Sequence, residues 1–118
     1  MFKEHLQQLV AAIDAGRGAI IMGLDGIPIE KHVRDQSLNL EAFAAEYMSL
    51  LKRTLDANRE LGVGTVQELT VFADNLTAII KAITPEYFLI FALPADGNFG
   101  RARFEMRKAV LALERELR

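Results

Sequence analysis

The sequence predicts an α+β domain, a five-stranded antiparallel sheet with helices on both faces, in the order αββαβββα. Three observations predict it. Residues 19–24 and 86–93 are apolar or small on both alternating sets of positions, and a strand apolar on both sides must be covered on both sides. Asp25-Gly26 separates the first of these from a second alternation at Ile27, Ile29 and Val33, which is the signal of a tight hairpin. Three longer segments repeat their apolar residues at helical period.

Residues 2–14 form the first helix, with Phe2, Leu6, Leu9, Val10 and Ile13 on one stripe and Gly16 as its stop. The hairpin follows. A primed turn needs positive φ at both central residues, which Asp tolerates and Gly adopts freely. Its second strand carries Pro28, Glu30 and His32 between the apolar positions, and a proline without a donor belongs at a sheet edge. Polar residues 34–39 make a loop that ends in Asn39, a suitable helix cap.

The next helix spans residues 40–61. Leu40, Phe43, Ala44, Tyr47, Leu50, Leu51, Thr54, Leu55 and Leu61 fall in one broad inward stripe. The outer face carries Ala42, Ala45, Ser49 and Lys52 among charged residues, and its first half is nearly bare. Gly62 and Gly64 end the helix. Residues 64–72 alternate Leu69 and Val71 with Glu68 and Thr70, as an edge strand does. Asp74-Asn75 turns the chain into a strand at 76–83, and Thr84-Pro85 turns it again into the apolar strand at 86–93. The last helix, 98–117, has its stripe at Phe99, Ala102, Met106, Ala109, Val110, Leu113 and Leu117.

A chain of 118 residues is one domain, 1–118, long enough to bury a real core. Net charge −2 argues against a nucleic-acid protein, whose domain is usually distinctly basic. With no cysteine there is no disulfide or thiol chemistry, and a cytoplasmic location is expected. The opening residues have no long apolar run, so no signal peptide is expected, and nothing approaches the ~18 apolar residues of a membrane span.

Chemistry is sparse. His5 and His32 lie on different elements with no second ligand at metal spacing. Gly16-Arg-Gly18 and Gly62-Val-Gly64 lack the Lys-Ser/Thr of a phosphate loop. Neither Ser37 nor Ser49 sits in a nucleophile elbow. No catalytic, cofactor-binding or metal-binding residue is expected, and the chain does not read as an enzyme. The strands are so fully apolar that a ligand cavity is not expected either.

The segments Ile20-Ile-Met-Gly-Leu-Asp-Gly-Ile-Pro-Ile-Glu30 and Asn98-Phe-Gly-Arg-Ala-Arg-Phe-Glu-Met-Arg107, with the element order, resemble the roadblock/dynein light chain family. The Met-Gly-Leu-Asp-Gly-Ile-Pro form is most similar to its bacterial MglB-type branch. The family often has a proline before the glycine that leads into strand one, where this chain reads Asp14-Ala-Gly-Arg-Gly18. The resemblance implies a homodimer whose third strands pair across a two-fold, with the long helices side by side. It also implies a partner, a Ras-like small GTPase of the MglA type, bound by a regulator that activates GTP hydrolysis or scaffolds. The alternative is a structural adaptor of the same fold with no GTPase partner.

The residues support that geometry independently. An unprotected edge strand invites pairing, and small side chains let helices approach. The expected interface is Ala42, Ala45, Met48, Ser49 and Lys52 on the helix, with Val66, Glu68 and Thr70 on the strand. A GTPase activator can supply an arginine to the transition state, and Arg34, Arg53, Arg59, Arg101, Arg103 and Arg107 are candidates by composition. Each also reads as ordinary solvated surface.

Overall fold

A computed structural model of the chain describes residues 1–117. Its elements follow the expected order: α1 (Phe2–Ala12), β1 (Gly18–Gly23), β2 (Pro28–Val33), α2 (Leu40–Leu61), β3 (Glu68–Phe72), β4 (Thr77–Ala82), β5 (Tyr87–Leu93) and α3 (Phe99–Leu117). All strand pairs are antiparallel, in the spatial order β2-β1-β5-β4-β3. The strands apolar on both faces, β1 and β5, are therefore internal, and Pro28 sits on an edge strand.

The period of two sorts the strand residues into two cores. Ala19 and Ile21 of β1, with Leu89, Phe91 and Leu93 of β5, meet Leu6 and Val10 of α1 and Met106 and Leu113 of α3. Ile20 and Met22, with Phe88, Ile90 and Ala92, meet Leu40, Ala44, Met48 and Leu51 of α2. Two helices thus cover one face and a single helix covers the other.

Local chemistry sets the boundaries. Asn39 Oδ1 accepts from Ala42 N at 3.1 Å and caps α2. Gly62, at φ 69°, ends it in the left-handed region, where Val63 N reaches back to Asn58 O at 3.0 Å. Asn98 Oδ1 caps α3 through Arg101 N at 3.0 Å.

Three expectations are corrected. Helix α1 stops at Ala12 rather than residue 14, because Ile13 is already extended and Ala15, not Gly16, takes the left-handed conformation at φ 57°. The β1–β2 turn is not the two-residue primed type. Gly26 N donates to Gly23 O and Gly23 N to Ile27 O, both at 2.9 Å, and of the pair Asp25-Gly26 only Gly26 has positive φ, 85°. Leu24, Asp25 and Gly26 make a three-residue loop, and Asp25 Oδ1 fastens it by accepting from Ile27 N at 3.0 Å. Strand β3 starts at Glu68 instead of residue 64. Gly64 at φ 93° turns the chain from the end of α2 towards the sheet, which leaves Val66 outside the strand.

Candidate protein-interaction surface

The β3–β4 register pairs Leu69 with Ile80 and Val71 with Ala78. In the same register Ala73 N donates to Leu76 O at 2.9 Å and Ala82 N to Gln67 O at 3.2 Å. Hydrogen-bonded pairs alternate along an antiparallel ladder, so residues 67, 69, 71 and 73 bond inward to β4. Glu68, Thr70 and Phe72 point their backbone N–H and C=O groups outward, at a free edge. Their side chains lie towards α3. Arg103 Nε donates to Glu68 Oε1 at 3.0 Å, and Thr70 Oγ1 donates to Glu68 Oε2 at 3.0 Å. Phe72 is 67% exposed and tilts against Phe99 at 4.9 Å, while the Arg103 guanidinium lies over the Phe99 ring at 5.5 Å.

On the other face, α2 lies over β1. A five-strand sheet is ~19 Å across, from spacings of ~4.8 Å, and one helix is ~10–12 Å wide. One helix buries Ala78 and Ile80 of β4 but leaves the β3 margin only partly covered, with Leu69 and Val71 half-buried there. Glu41 marks the flank of α2 nearer β2, because Lys31 Nζ reaches its carboxylate at 3.1 Å. At ~100° per residue, Leu50 is diametrically across the helix from Glu41. It shares that far flank with Phe43, Tyr47 and Thr54. The Phe43 and Tyr47 rings stack at 4.4 Å, and Thr54 Oγ1 bonds its own helix at Leu50 O, 3.0 Å away. The result is an apolar step, from helix flank down to the partly covered β3 margin and out to the free edge.

Of the residues expected at an interface, Ala42, Ala45, Ser49 and Lys52 are exposed on the outer face of α2. Met48 is not available to a partner. It is 1% exposed within the second core, because the helix seats its centre one position round from the stripe read off the sequence. The same rotation exposes Leu50 to 42% and, at the end of the helix, Leu61 to 74%. Glu68 and Thr70 lie on the α3 side of the sheet, so they share no patch with the α2 residues. Val66 is half-buried against the second core. Sequence reasoning missed the Phe43–Tyr47–Leu50 flank by assigning all three inward. The excess width of the stripe was the available signal.

The arginine candidates are mostly occupied. Arg34 Nη2 donates to Val10 O at 2.6 Å, Arg59 meets Asp56 at 3.2 Å, and Arg101 meets Glu105 at 3.9 Å. Arg53 and Arg107 have no ion pair among the described residues. His5 Nε2 is 3.4 Å from Glu116 Oε2. Burial, with Lys3 and Arg34 nearby, pushes the His32 imidazole below its ordinary value. Hydrogen bonds from Ser37, then the Arg17 guanidinium 2.8 Å away, hold Asp35 below the usual carboxylate range. No group of three or more metal-ligating side chains occurs among the described residues.

No protein-family model matches the chain, and none of the curated proteins matches it. Solved structures do. A roadblock/LC7 domain from Streptomyces avermitilis superposes with a TM-score of 0.87 at 18% identity, over 98% of this chain and 96% of that one. MglB of Myxococcus xanthus gives 0.88 at 11% identity, over 98% and 94%. MglC of Myxococcus xanthus is 32% identical over 96% of both chains, with a TM-score of 0.69. The chain belongs to the roadblock/LC7 family. Its backbone is MglB-like, as the Met22–Pro28 segment suggests. The roadblock domain here has no helix among its described residues long and apolar enough to cross a membrane.

Proposed function

We propose that this roadblock protein is a non-enzymatic, cytoplasmic homodimer that binds a Ras-like small GTPase of the MglA type. The observation that carries the reading is the free β3 edge beside the apolar flank of α2. Edges of this kind are usually capped in monomers, and β3 has neither a proline nor a covering element. A two-fold through Thr70 would pair Thr70 with Thr70 and Glu68 with Phe72 of the second copy, so that each outward residue exchanges both backbone bonds. Leu69 of one copy would then lie opposite Val71 of the other, on the margin that α2 leaves only partly covered. The two α2 helices would come together over them through Phe43, Tyr47 and Leu50.

The GTPase partner follows from the family resemblance, and the outer ridge Ala42, Ala45, Ser49 and Lys52 is the surface assigned to it. Activation, in this reading, works by reshaping the partner's switch regions, since four of the six candidate arginines are already engaged within the chain. Light scattering at micromolar concentration tests the dimer. Mixing with the GTPase in its GDP and GTP-analogue forms tests the partner, with hydrolysis followed by phosphate release. A monomer at 50 μM, or a dimer indifferent to both nucleotide forms, would refute the respective half of the proposal.

A further inference from the structure

Two cavities meet at the end of the sheet where β3 begins and β4 ends. One, of about 380 Å³, is walled by Val66, Ala82, Ile83, Phe88, Val110 and Leu111. The other, of about 510 Å³, runs beneath the C-terminal end of α2 between Leu24, Asn58 and Gly62. Leu55, Thr65 and Pro85 line both, so they form one bent groove passing under the Gly62–Gln67 segment. This corrects the expectation that apolar strands leave no space. The strands are filled, but the connection between α2 and β3 is not packed down onto their ends.

Charge in the groove is segregated. Lys81 of β4 and Arg107 of α3 line the end on the α3 side, with Glu114 the single carboxylate. Neither cation has an ion pair among the described residues. At the α2 end the one charged group, Arg59, is already paired with Asp56 at 3.2 Å. The remaining wall is mostly aliphatic, with Phe88, and carries the uncharged polar side chains of Thr65, Gln67, Thr84 and Asn58. Such a groove suits a ligand with one anionic head and a flexible apolar tail. A compact polar metabolite would leave the apolar wall wet, and volumes of ~300–1,000 Å³ are those of small-molecule sites.

We infer that the groove binds an acyl chain bearing a carboxylate, its head at Lys81 and Arg107 and its tail running past Val66 and Leu55 towards Leu24. This goes beyond the GTPase reading and does not depend on it.

Decanoate, held below its micelle-forming concentration, is the probe, added to the full chain and followed by calorimetry. Saturable binding at one decanoate per chain is expected. Affinity should rise about fourfold per methylene from hexanoate upwards until the groove is full. Decanol and decyltrimethylammonium should bind at least tenfold more weakly. The double variant Lys81→Gln, Arg107→Gln should remove that preference, and Ala82→Phe, which fills the wall, should abolish binding.

In case Ala82→Phe fails to fold, methyl chemical shifts of the unaltered protein decide the matter. Val66, Leu111 and Leu55 should move with decanoate. Shifts confined to other methyls would overturn the proposal, as would no saturable binding or equal binding of all three head groups. Equal binding to a folded Ala82→Phe variant would mark surface adsorption and overturn it too. Binding seen only when the protein is diluted to monomer would mean that a second copy fills the groove, which also overturns it.

Discussion

Thr70→Pro separates the dimer from the monomer fold cleanly. The Thr70 N–H faces away from β4, so proline at this position removes no backbone bond within the chain, only the half-buried side-chain bond from Thr70 Oγ1 to Glu68, and an edge strand tolerates it there. Across the proposed two-fold the two Thr70 residues exchange a pair of bonds, and both donors disappear. At ~1 kcal/mol net per hydrogen bond, the dimer loses about 2 kcal/mol, or roughly a 30-fold weaker Kd. The ring carbon directed at the partner's carbonyl adds to that loss. Val71→Pro is the control. Its N–H bonds inward, so the cost, ~3 kcal/mol or more, should fall on monomer stability instead. Sedimentation equilibrium gives the Kd and urea unfolding gives the stability. If Thr70→Pro dimerises with unchanged Kd, either the pairing does not use β3 or its centre is elsewhere. If it unfolds as Val71→Pro does, the assignment of outward and inward donors is wrong.

Gly26→Val should cost about 1–3 kcal/mol, since φ of 85° is strained for a β-branched residue although the space around it is open. A urea midpoint lowered by roughly 0.5–2 M would show it, and Gly26→Asn should lose less. The folded state holds the His32 imidazole below its ordinary 6.5, so the unfolded chain takes up the proton first. The stability from His32 is therefore complete above pH 6.5 and is lost as pH falls through the lower folded value. His32→Gln should flatten the pH dependence of the melting temperature between pH 5 and 7. Leu50→Glu, on the apolar flank of α2, should weaken the dimer, measured by light scattering. Ala45→Arg, on the outer ridge, should weaken GTPase binding and leave circular dichroism unchanged.

Much of this architecture is legible from local chemistry. Residues 19–24 and 87–93 announce themselves as internal because nothing charged interrupts either face. Pro28 announces an edge, and Asn39 announces the start of a helix. The turn at Asp25-Gly26 was legible as a turn but not as a type. Asp-Gly suits both the primed two-residue loop and the three-residue loop, and the backbone of Gly23 and Ile27 decides between them. The interface was harder to read. A helical wheel shows how wide an apolar stripe is but not where its centre docks, so Met48 and Leu50 exchanged roles. The groove depends on how far residues 62–67 stand off the sheet, and no periodicity encodes that.

The two edges of this sheet are not alike, and the difference limits how far strand-to-strand pairing can extend. At β2 the ladder is interrupted between Ile21 and Met22, and Pro28 can give no donor. Side chains reach across that strand as well, Lys3 to Glu30 at 3.8 Å and Lys31 to Glu41 at 3.1 Å. Another strand arriving there would find an irregular, charged margin. A molecule with one adhesive margin and one blocked margin joins a copy of itself and then stops, because the union consumes both adhesive sides. In the proposed dimer, growth through β3 thus closes at a pair, and a chain so built exposes an open strand without becoming the seed of a fibre.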